Sequence, residues 1–261
     1  SGYLVKNLVG ETIGQEAYKL NFSSIAADPL NFRYMLDKTD EKSATVKQSF
    51  EFYPYLLDPG TVKVSASGKY LIISASVRNK KSYVKVFKDD IQQSFSDEVN
   101  LMAFDARQAR DIAGALEYIL STVKAKNRVW NDKQSATKFI MENVGDLKRE
   151  QKDIKQKIEL MDNDPCKMSY KVSNTDDKGK TTDELYEFSL TDINNQMVDF
   201  KVSGKSILIN LACKNKEKLV KAYKNSVQQA WGTNVEIEVN DVETARNICE
   251  AFRAAITQCE K

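Results

Sequence analysis

The stretch that decides the fold runs from Val62 to Val77 and reads VKVSASGKYLIISASV; a second version, VDFKVSGKSILINLAC, runs from Val198 to Cys213. In both, Ser-Gly-Lys separates two segments of alternating apolar residues, a pattern that predicts two strands joined by a tight turn. The offset from Val62 to Val198 holds over a longer region: 27 of the 93 positions from Asp28 to Leu120 are identical at that offset. About one in 17 is expected for unrelated sequences. The sequence therefore predicts an internal duplication, with two copies of one fold.

Within each copy the hydrophobic period changes from two to 3.6, which predicts strands first and a helix last. Asp105 and Asp241 stand where the period changes, and their carboxylates can cap the first turn of a helix. We expect an α+β protein in which each copy is a seven-stranded antiparallel sheet or barrel capped by its C-terminal helix.

This order of elements resembles the pleckstrin-homology-like (PH-like) superfold. The sequence departs from the eukaryotic family in the terminal helix, where Leu116 or Leu120 and Phe252 or Ile256 stand in the region of its tryptophan. The family's basic phosphoinositide motif is also poorly met, because acidic residues interleave the lysines of the first hairpin. The resemblance implies a scaffold that holds peptides, lipids or neighbouring domains and seldom catalyses. A lipocalin-like barrel or another helix-capped curved sheet is the alternative architecture.

The repeat suggests four segments: an N-terminal extension (1–27), a first copy (28–124), a joining segment (125–161) and a second copy (162–261). In the joining segment, apolar residues from Ile140 to Met161 recur at spacings of four, three and seven. This stripe predicts one long helix from Ser135 to Met161 that joins the copies, packs along a domain and offers a surface for homodimerisation.

Composition excludes several classes of function. The 261 residues include 39 Lys and Arg against 37 Asp and Glu, a formal net charge of +2, so the basic surplus of a nucleic-acid binder is missing. There is no histidine, which excludes Ser-His-Asp and Cys-His catalysis. No run of about 18 apolar residues predicts a membrane-spanning helix.

The four cysteines all belong to the second copy, at positions 166, 213, 249 and 259. None forms a close pair of the kind that binds zinc, and each falls on an apolar face, which favours buried small side chains. If the protein is exported, Cys166 and Cys259 offer an alternative, a disulfide. Gly204-Lys205-Ser206 lacks the earlier glycine of a phosphate-binding loop. We expect no catalytic residue, no metal and no cofactor.

Two repeated polar features are the candidate binding residues: the basic loops in the middle of each copy and the paired glutamines of a short strand. They comprise Arg78, Lys80, Lys81, Gln92 and Gln93 in the first copy, and Lys214, Lys216, Gln228 and Gln229 in the second. We expect a noncatalytic tandem interaction or scaffolding module, exported in preference to cytoplasmic and fitting a bacterial cell-envelope system. Its expected partner is a protein, with a lipid headgroup as the second choice. A lipid or small-ligand carrier is the alternative, and a large apolar cavity would favour it.

Overall fold

The computed structural model describes Leu4, Leu8 and residues 10–126, 128–130, 132–149, 152–162 and 164–260. Strands account for 50% of the described residues and helices for 26%, so antiparallel sheet dominates the architecture. The chain divides into two compact units, Ser1–Lys126 and Asn127–Lys261.

The first unit contains two antiparallel sheets and a C-terminal helix. Its elements are β1 (Glu11–Ile13), β2 (Glu16–Ile25), β3 (Asp28–Thr39), β4 (Thr45–Phe52), β5 (Lys63–Ser67), β6 (Tyr70–Ser76), β7 (Lys85–Lys88), β8 (Ile91–Gln92), β9 (Glu98–Ala103) and α1 (Ala106–Thr122). One sheet has the order β1-β2-β3-β4-β7-β8, and the other has the order β5-β6-β9.

The second unit begins with an additional helix and then repeats the same arrangement. Its elements are α2 (Lys133–Asn143), β10 (Leu147–Arg149), β11 (Lys152–Met161), β12 (Asp164–Asp176), β13 (Thr181–Ser189), β14 (Asp199–Ser203), β15 (Ser206–Ala212), β16 (Lys221–Lys224), β17 (Val227–Gln228), β18 (Asn234–Val239) and α3 (Val242–Cys259). The sheets have the orders β10-β11-β12-β13-β16-β17 and β14-β15-β18.

The offset that relates Val62 to Val198 also relates the start of every strand in the first unit to the start of its counterpart, and the start of α1 to that of α3. The predicted Ser-Gly-Lys turns join β5 to β6 and β14 to β15. Their glycines, Gly68 and Gly204, have φ of 61° and 60°, values that glycine adopts without steric cost. The two units are thus sheet-rich halves with the same order of elements.

The core of each unit lies between its sheets and under its C-terminal helix. In β2, Tyr18, Leu20 and Phe22 are buried while the residues between them are exposed, so one face of the strand points inward. The helices start where the sequence predicts: Asp105 accepts a hydrogen bond from the Gln108 amide (2.8 Å), and Asp241 accepts one from the Thr244 amide (2.7 Å).

The predicted seven-stranded sheet or barrel is wrong. Each unit has two open sheets, and the described residues form no closed barrel. After β4, short 3-10 turns at Pro54–Leu56 and Pro59–Thr61 end the strand and lead the chain into the second sheet. Residues 11–25, which the sequence assigned to an extension, form β1 and β2 and pair with β3. Alternation identifies strands, but it does not specify which strands pair.

The predicted long joining helix is also wrong. Among the described residues of that stretch, helix is confined to the part within Lys133–Asn143, and Lys152–Met161 is a strand. Ile154 and Ile158, four residues apart, share a face in a helix and in a strand alike. Gln156, which lies between them in the sequence, distinguishes strand from helix. It is buried with them, as alternation along a strand requires, whereas a helix would turn it to another face. Because this helix does not form, the helical surface predicted for homodimerisation does not form either. None of the helices in the described ranges has the length and apolar character needed to cross a membrane.

Candidate ligand-binding cleft

The first unit contains a cleft of about 600 Å³ between its two sheets. Strands β2, β3 and β4 supply one wall, and strands β5, β6 and β9 supply the other. The residues that line it are Tyr18, Tyr34, Leu36, Lys38, Val46, Gln48, Phe50, Ser65, Ala66, Ser67, Tyr70, Ile72, Asn100 and Met102. The volume lies within the range of about 300–1,000 Å³ that is typical of small-molecule sites.

The deep end of the cleft is aromatic and fixed. Tyr34 is fully buried, and its ring stacks on Phe50 with centroids 6.3 Å apart. Its hydroxyl accepts a hydrogen bond from the backbone N–H of Met102 at 3.0 Å, which ties the larger sheet to the smaller one. Burial raises the pKa of Tyr34 above its ordinary value, so the phenol stays protonated at neutral pH.

The mouth of the cleft carries a charged pair. Lys38 Nζ lies 2.5 Å from Glu16 Oε1, and the Tyr18 hydroxyl donates to Glu16 Oε2 at 2.7 Å. Lys38 Nζ also lies 5.7 Å from the centre of the Tyr18 ring. Hydrogen bonds from Lys38 and Tyr18 lower the pKa of Glu16, and the bond to Glu16 raises the pKa of Lys38. Burial, followed by the bond to Glu16, raises the pKa of Tyr18. At neutral pH this pair is fully charged and Tyr18 is a neutral phenol.

The chemistry of the lining suits binding. Its polar groups are amides and hydroxyls in addition to the tyrosines, and Lys38 is the one charged side chain among the described lining residues. That lining includes no carboxylate and no thiol. Their raised pKa values keep Lys38, Tyr18 and Tyr34 protonated at neutral pH.

The same region of the second unit holds a polar network in its interior. The Tyr170 hydroxyl donates to Gln156 Oε1 at 2.7 Å, and Gln156 Nε2 donates to the carbonyls of Gly145 (2.7 Å) and Glu238 (2.8 Å). Gln156 stands at the position that Leu20, an apolar core residue, occupies in the first unit. A hydrogen-bonded network therefore replaces part of the first unit's apolar interior.

Acidic residues mark the second unit's counterpart of the cleft. Glu184, Glu236 and Glu238 stand at the positions of Gln48, Asn100 and Met102. Glu238 pairs with Arg149 at 3.2 Å, Glu236 pairs with Lys201 at 2.7 Å, and Glu184 accepts a hydrogen bond from the Tyr186 hydroxyl at 3.0 Å. Burial and then Glu184 raise the pKa of Tyr186 to about 12. At these positions the second unit therefore has carboxylates, two of them ion-paired, where the first unit has uncharged side chains.

No protein-family model, curated protein or solved structure matches this chain. Its function is therefore argued from the geometry of the cleft.

The predicted basic loops lie away from this cleft. Arg78–Lys80 and Lys214–Lys216 form equivalent exposed 3-10 turns after β6 and β15, and none of their residues lines the cleft. Lys81 follows the first turn, and its Nζ lies 5.7 Å from the centre of the Tyr83 ring. Lys214 Nζ donates to the carbonyl of Thr191 at 2.7 Å and pairs with Glu260 at 2.6 Å. That lysine fastens the end of α3 to the loop.

The predicted glutamines lie in the short hairpins at the edge of each larger sheet. Gln93 Nε2 donates to the carbonyl of Ile91 at 2.9 Å, and Gln229 Nε2 donates to that of Val227 at 2.8 Å. The same local bond, to the carbonyl two residues earlier, therefore forms in both units. Gln92 and Gln228 lie in β8 and β17, opposite Phe87 and Tyr223. The structure brings none of the four glutamines to the cleft.

Sequence reasoning missed the residues that form the cleft, although a signal was present. Gln48 and Asn100 occupy inward positions of their strands, where the alternating pattern otherwise places apolar side chains. Their counterparts in the second copy are glutamates. Polar residues at inward positions that change charge between copies indicate a lining whose chemistry differs between the units.

The cysteines adopt both of the arrangements considered from the sequence. Cys166 and Cys259 form a disulfide that joins the start of β12 to the end of α3. Cys213 and Cys249 are free and buried, and burial raises the pKa of Cys249 to about 12, which makes that thiol unreactive. Within the described ranges, no group of Cys, Asp and Glu side chains is arranged to hold a metal ion.

Proposed function

We propose that this protein is a noncatalytic binding module of two homologous units, and that the first unit holds a small ligand in the cleft between its sheets. The observation that carries the proposal is the cleft itself, about 600 Å³ in volume and lined by aromatic rings with a few polar groups. Sites for small molecules combine apolar and aromatic walls with a small number of placed polar groups that fix orientation.

Three features support binding without turnover. The described lining contains no carboxylate or thiol, its buried tyrosine holds the two sheets together, and the raised pKa of Lys38 keeps it protonated. Catalysis by acid, base or nucleophile needs a group that changes its proton or bonding state near the working pH. The cleft offers hydrogen bonds, aromatic contacts and one positive charge instead.

The test is binding of an uncharged fluorescent probe, N-phenylnaphthylamine, to the full chain. We expect saturable binding at one site per chain. Ser67 lines the cleft opposite Tyr70, so Ser67→Trp should fill the space and abolish probe binding. Ser203 occupies the equivalent position in the second unit, and Ser203→Trp is the matched control that should leave binding unchanged. Absence of saturable binding, or equal binding by the Ser67→Trp variant, would contradict the proposal.

A second candidate function, engagement of a protein partner by both units, is favoured by the edges of the smaller sheets. In each unit the strand after the 3-10 turns, β5 or β14, lies at the edge of a three-stranded sheet. Val64 in β5 is 45% exposed, and an exposed edge can accept an extended segment of a partner. Two such edges on one chain raise the effective concentration for a repeated partner.

This second candidate is tested by affinity capture with the intact chain. A partner that binds the edge strands should be retained by the wild type and lost from the Val64→Lys/Phe200→Lys variant, which alters equivalent positions in β5 and β14, because a lysine on an edge strand opposes strand addition. Retention of every partner by that double variant would reject the edges as the contact.

We infer that the two units arose by duplication of one ancestral unit, since sequence identity and element order share a single offset. The disulfide between Cys166 and Cys259 supports an exported protein, because such bonds persist in oxidising compartments, and a cell-envelope system fits that location. The resemblance to PH-like domains stays a prediction, as does the lipid headgroup as a ligand.

A further inference from the structure

We propose that the cleft of the first unit selects flat aromatic ligands that carry one anionic group, and that this group replaces Glu16 as the partner of Lys38. The inference rests on the proposed function of the cleft as a ligand site, and it assigns the charge and shape of the ligand.

The charge of the ligand follows from the charged side chains at the mouth of the cleft. The interior lining is neutral, so the mouth supplies the charges that a ligand meets. Lys38 belongs to the lining, and Lys69 reaches the same region from the β5–β6 turn, since its Nζ would lie 3.9 Å from a Cβ added at Gly14. Glu16 is close enough to Lys69 for that lysine to lower its pKa. Lys38 and Lys69 therefore lie near Glu16, and Glu11, opposite Tyr18 in β1, adds a second carboxylate at this edge. The attraction for a ligand anion comes from Lys38, the charged residue of the described lining.

Glu16 can be replaced because its ion pair is exposed. The side chains of Lys38 and Glu16 are 43% and 36% exposed, and exposed ion pairs contribute little to stability. A ligand anion at Lys38 would be partly shielded from water by the aromatic walls, where a charge-assisted hydrogen bond is stronger. Glu16 would then turn to solvent and keep its charge.

The shape follows from the aromatic side chains. Tyr34 and Phe50 form the deep end, and Tyr18 and Tyr70 meet edge to face near the mouth, with centroids 6.1 Å apart. Rings in these arrangements offer faces and edges to another flat ring. A planar ligand can therefore extend from Phe50 to the mouth and place its anionic group beside Lys38.

The second unit carries different charges at the equivalent positions. Asn174 stands in place of Lys38, and Glu184, Glu236 and Glu238 replace neutral lining residues. Lys201, at the position of Ser65, pairs with Glu236, and Arg149 pairs with Glu238. An anion placed there would meet three carboxylates and two cations that already have acidic partners. We therefore expect the anionic ligand to bind in the first unit.

The test compares two probes of similar shape, the anion anilinonaphthalene sulfonate and the uncharged N-phenylnaphthylamine, each titrated against the full chain. Lys38→Met should weaken binding of the anion about tenfold, the value of one charge-assisted hydrogen bond, and should weaken binding of the uncharged probe far less. Glu16→Gln should tighten binding of the anion, because it removes the competing carboxylate.

Two further variants control for position. Asn100→Asp is nearly isosteric and introduces the charge that the second unit has at that position, so it should weaken the anion selectively. Lys201→Met removes an exposed, ion-paired lysine from the second unit and should change neither affinity. Circular dichroism of each variant confirms that the fold is kept.

The outcomes distinguish this inference from the proposed function on which it rests. If the uncharged probe binds in the cleft but Lys38→Met and Asn100→Asp leave the affinity for the anion unchanged, the charge assignment is overturned while the cleft remains a ligand site. If neither probe binds the wild type, both proposals are overturned.

Discussion

Reduction of the disulfide between Cys166 and Cys259 should destabilise the second unit and leave the first unit unchanged. The bond links residues separated by 93 positions, so breaking it releases a long loop in the unfolded chain. In the chain-entropy model a loop of this length is worth about 4.7 kcal/mol at room temperature. Domains unfold with about 5–15 kcal/mol, so the loss is a large fraction of the second unit's stability.

The expected change in melting temperature follows from the size of the unit. Asn127–Lys261 has 135 residues, and an unfolding entropy of about 2.1 cal/mol/K per residue gives about 0.28 kcal/mol/K. Loss of about 4.7 kcal/mol then lowers the melting temperature by about 17 °C. The Cys166→Ala/Cys259→Ala variant should match the reduced wild type, apart from a smaller contribution from the lost side-chain packing.

The chain provides its own reporter and control for this experiment. Trp130 and Trp231 are its two tryptophans and both belong to the second unit, whereas the first unit contains no cysteine. Tryptophan fluorescence during denaturant unfolding therefore follows the second unit, and calorimetry with and without reductant follows both. A shift of less than about 1 kcal/mol in the fluorescence transition, or equal shifts of both calorimetric transitions, would refute the reasoning.

Three other perturbations test the packing and the electrostatics of the units. Ile112→Ala in α1 and Ile248→Ala in α3 each remove a fully buried side chain. Each should lower the free energy of unfolding by about 2–5 kcal/mol because of the cavity left behind. Unchanged denaturant midpoints would show that these helices do not cover the cores. Tyr34→Phe leaves the buried Met102 N–H without its hydrogen bond and should cost about 1–3 kcal/mol in the same measurement, whereas a neutral result would show that this bond does not join the sheets. The pKa of Tyr186 is raised from 10.0 to about 12, so the folded state is favoured while this phenol is protonated. Its contribution to stability is complete below pH 10 and is lost as the pH rises toward 12. The Tyr186→Phe variant should therefore lose less stability than the wild type over that interval, and identical alkaline profiles would contradict the assignment.

The local elements could be predicted wherever a single physical rule decides them. The turns at Gly68 and Gly204 follow from a residue that tolerates positive φ, and the starts of α1 and α3 follow from aspartates that cap free amides. The stretch from Leu147 to Met161 was predicted as a helix because apolar residues four apart fit both periods. Gln156, which is buried in the structure, lies off the predicted apolar stripe. Its burial depends on acceptors in other segments, Gly145 and Glu238, which no local pattern reveals.

The cleft could not be predicted because it depends on the pairing of strands that are distant in the sequence. Lys38 and Asn100 belong to different sheets, and they come together only when the chain leaves β4 for the second sheet. The basic turns and the glutamines were predicted as binding residues because they recur in both copies. The turns and hairpins are shared by the units as structure, while the lining of the cleft differs between them.

The constant offset between the units also poses a problem for folding. Counterpart strands that start at the same offset give β3 the option of pairing with β13 in place of β4. Side chains must therefore favour the correct pairing over the exchanged one. Arg33 pairs with the buried Glu51 across β3 and β4, whereas the residue equivalent to Arg33 in β12 is Ser169. A chain that exchanged these strands would leave Glu51 buried beside a serine without its cation, at a cost of several kcal/mol. Synthesis from the N-terminus gives the first unit time to close before β13 is made, so the order of translation guards this chain against exchange between its own halves.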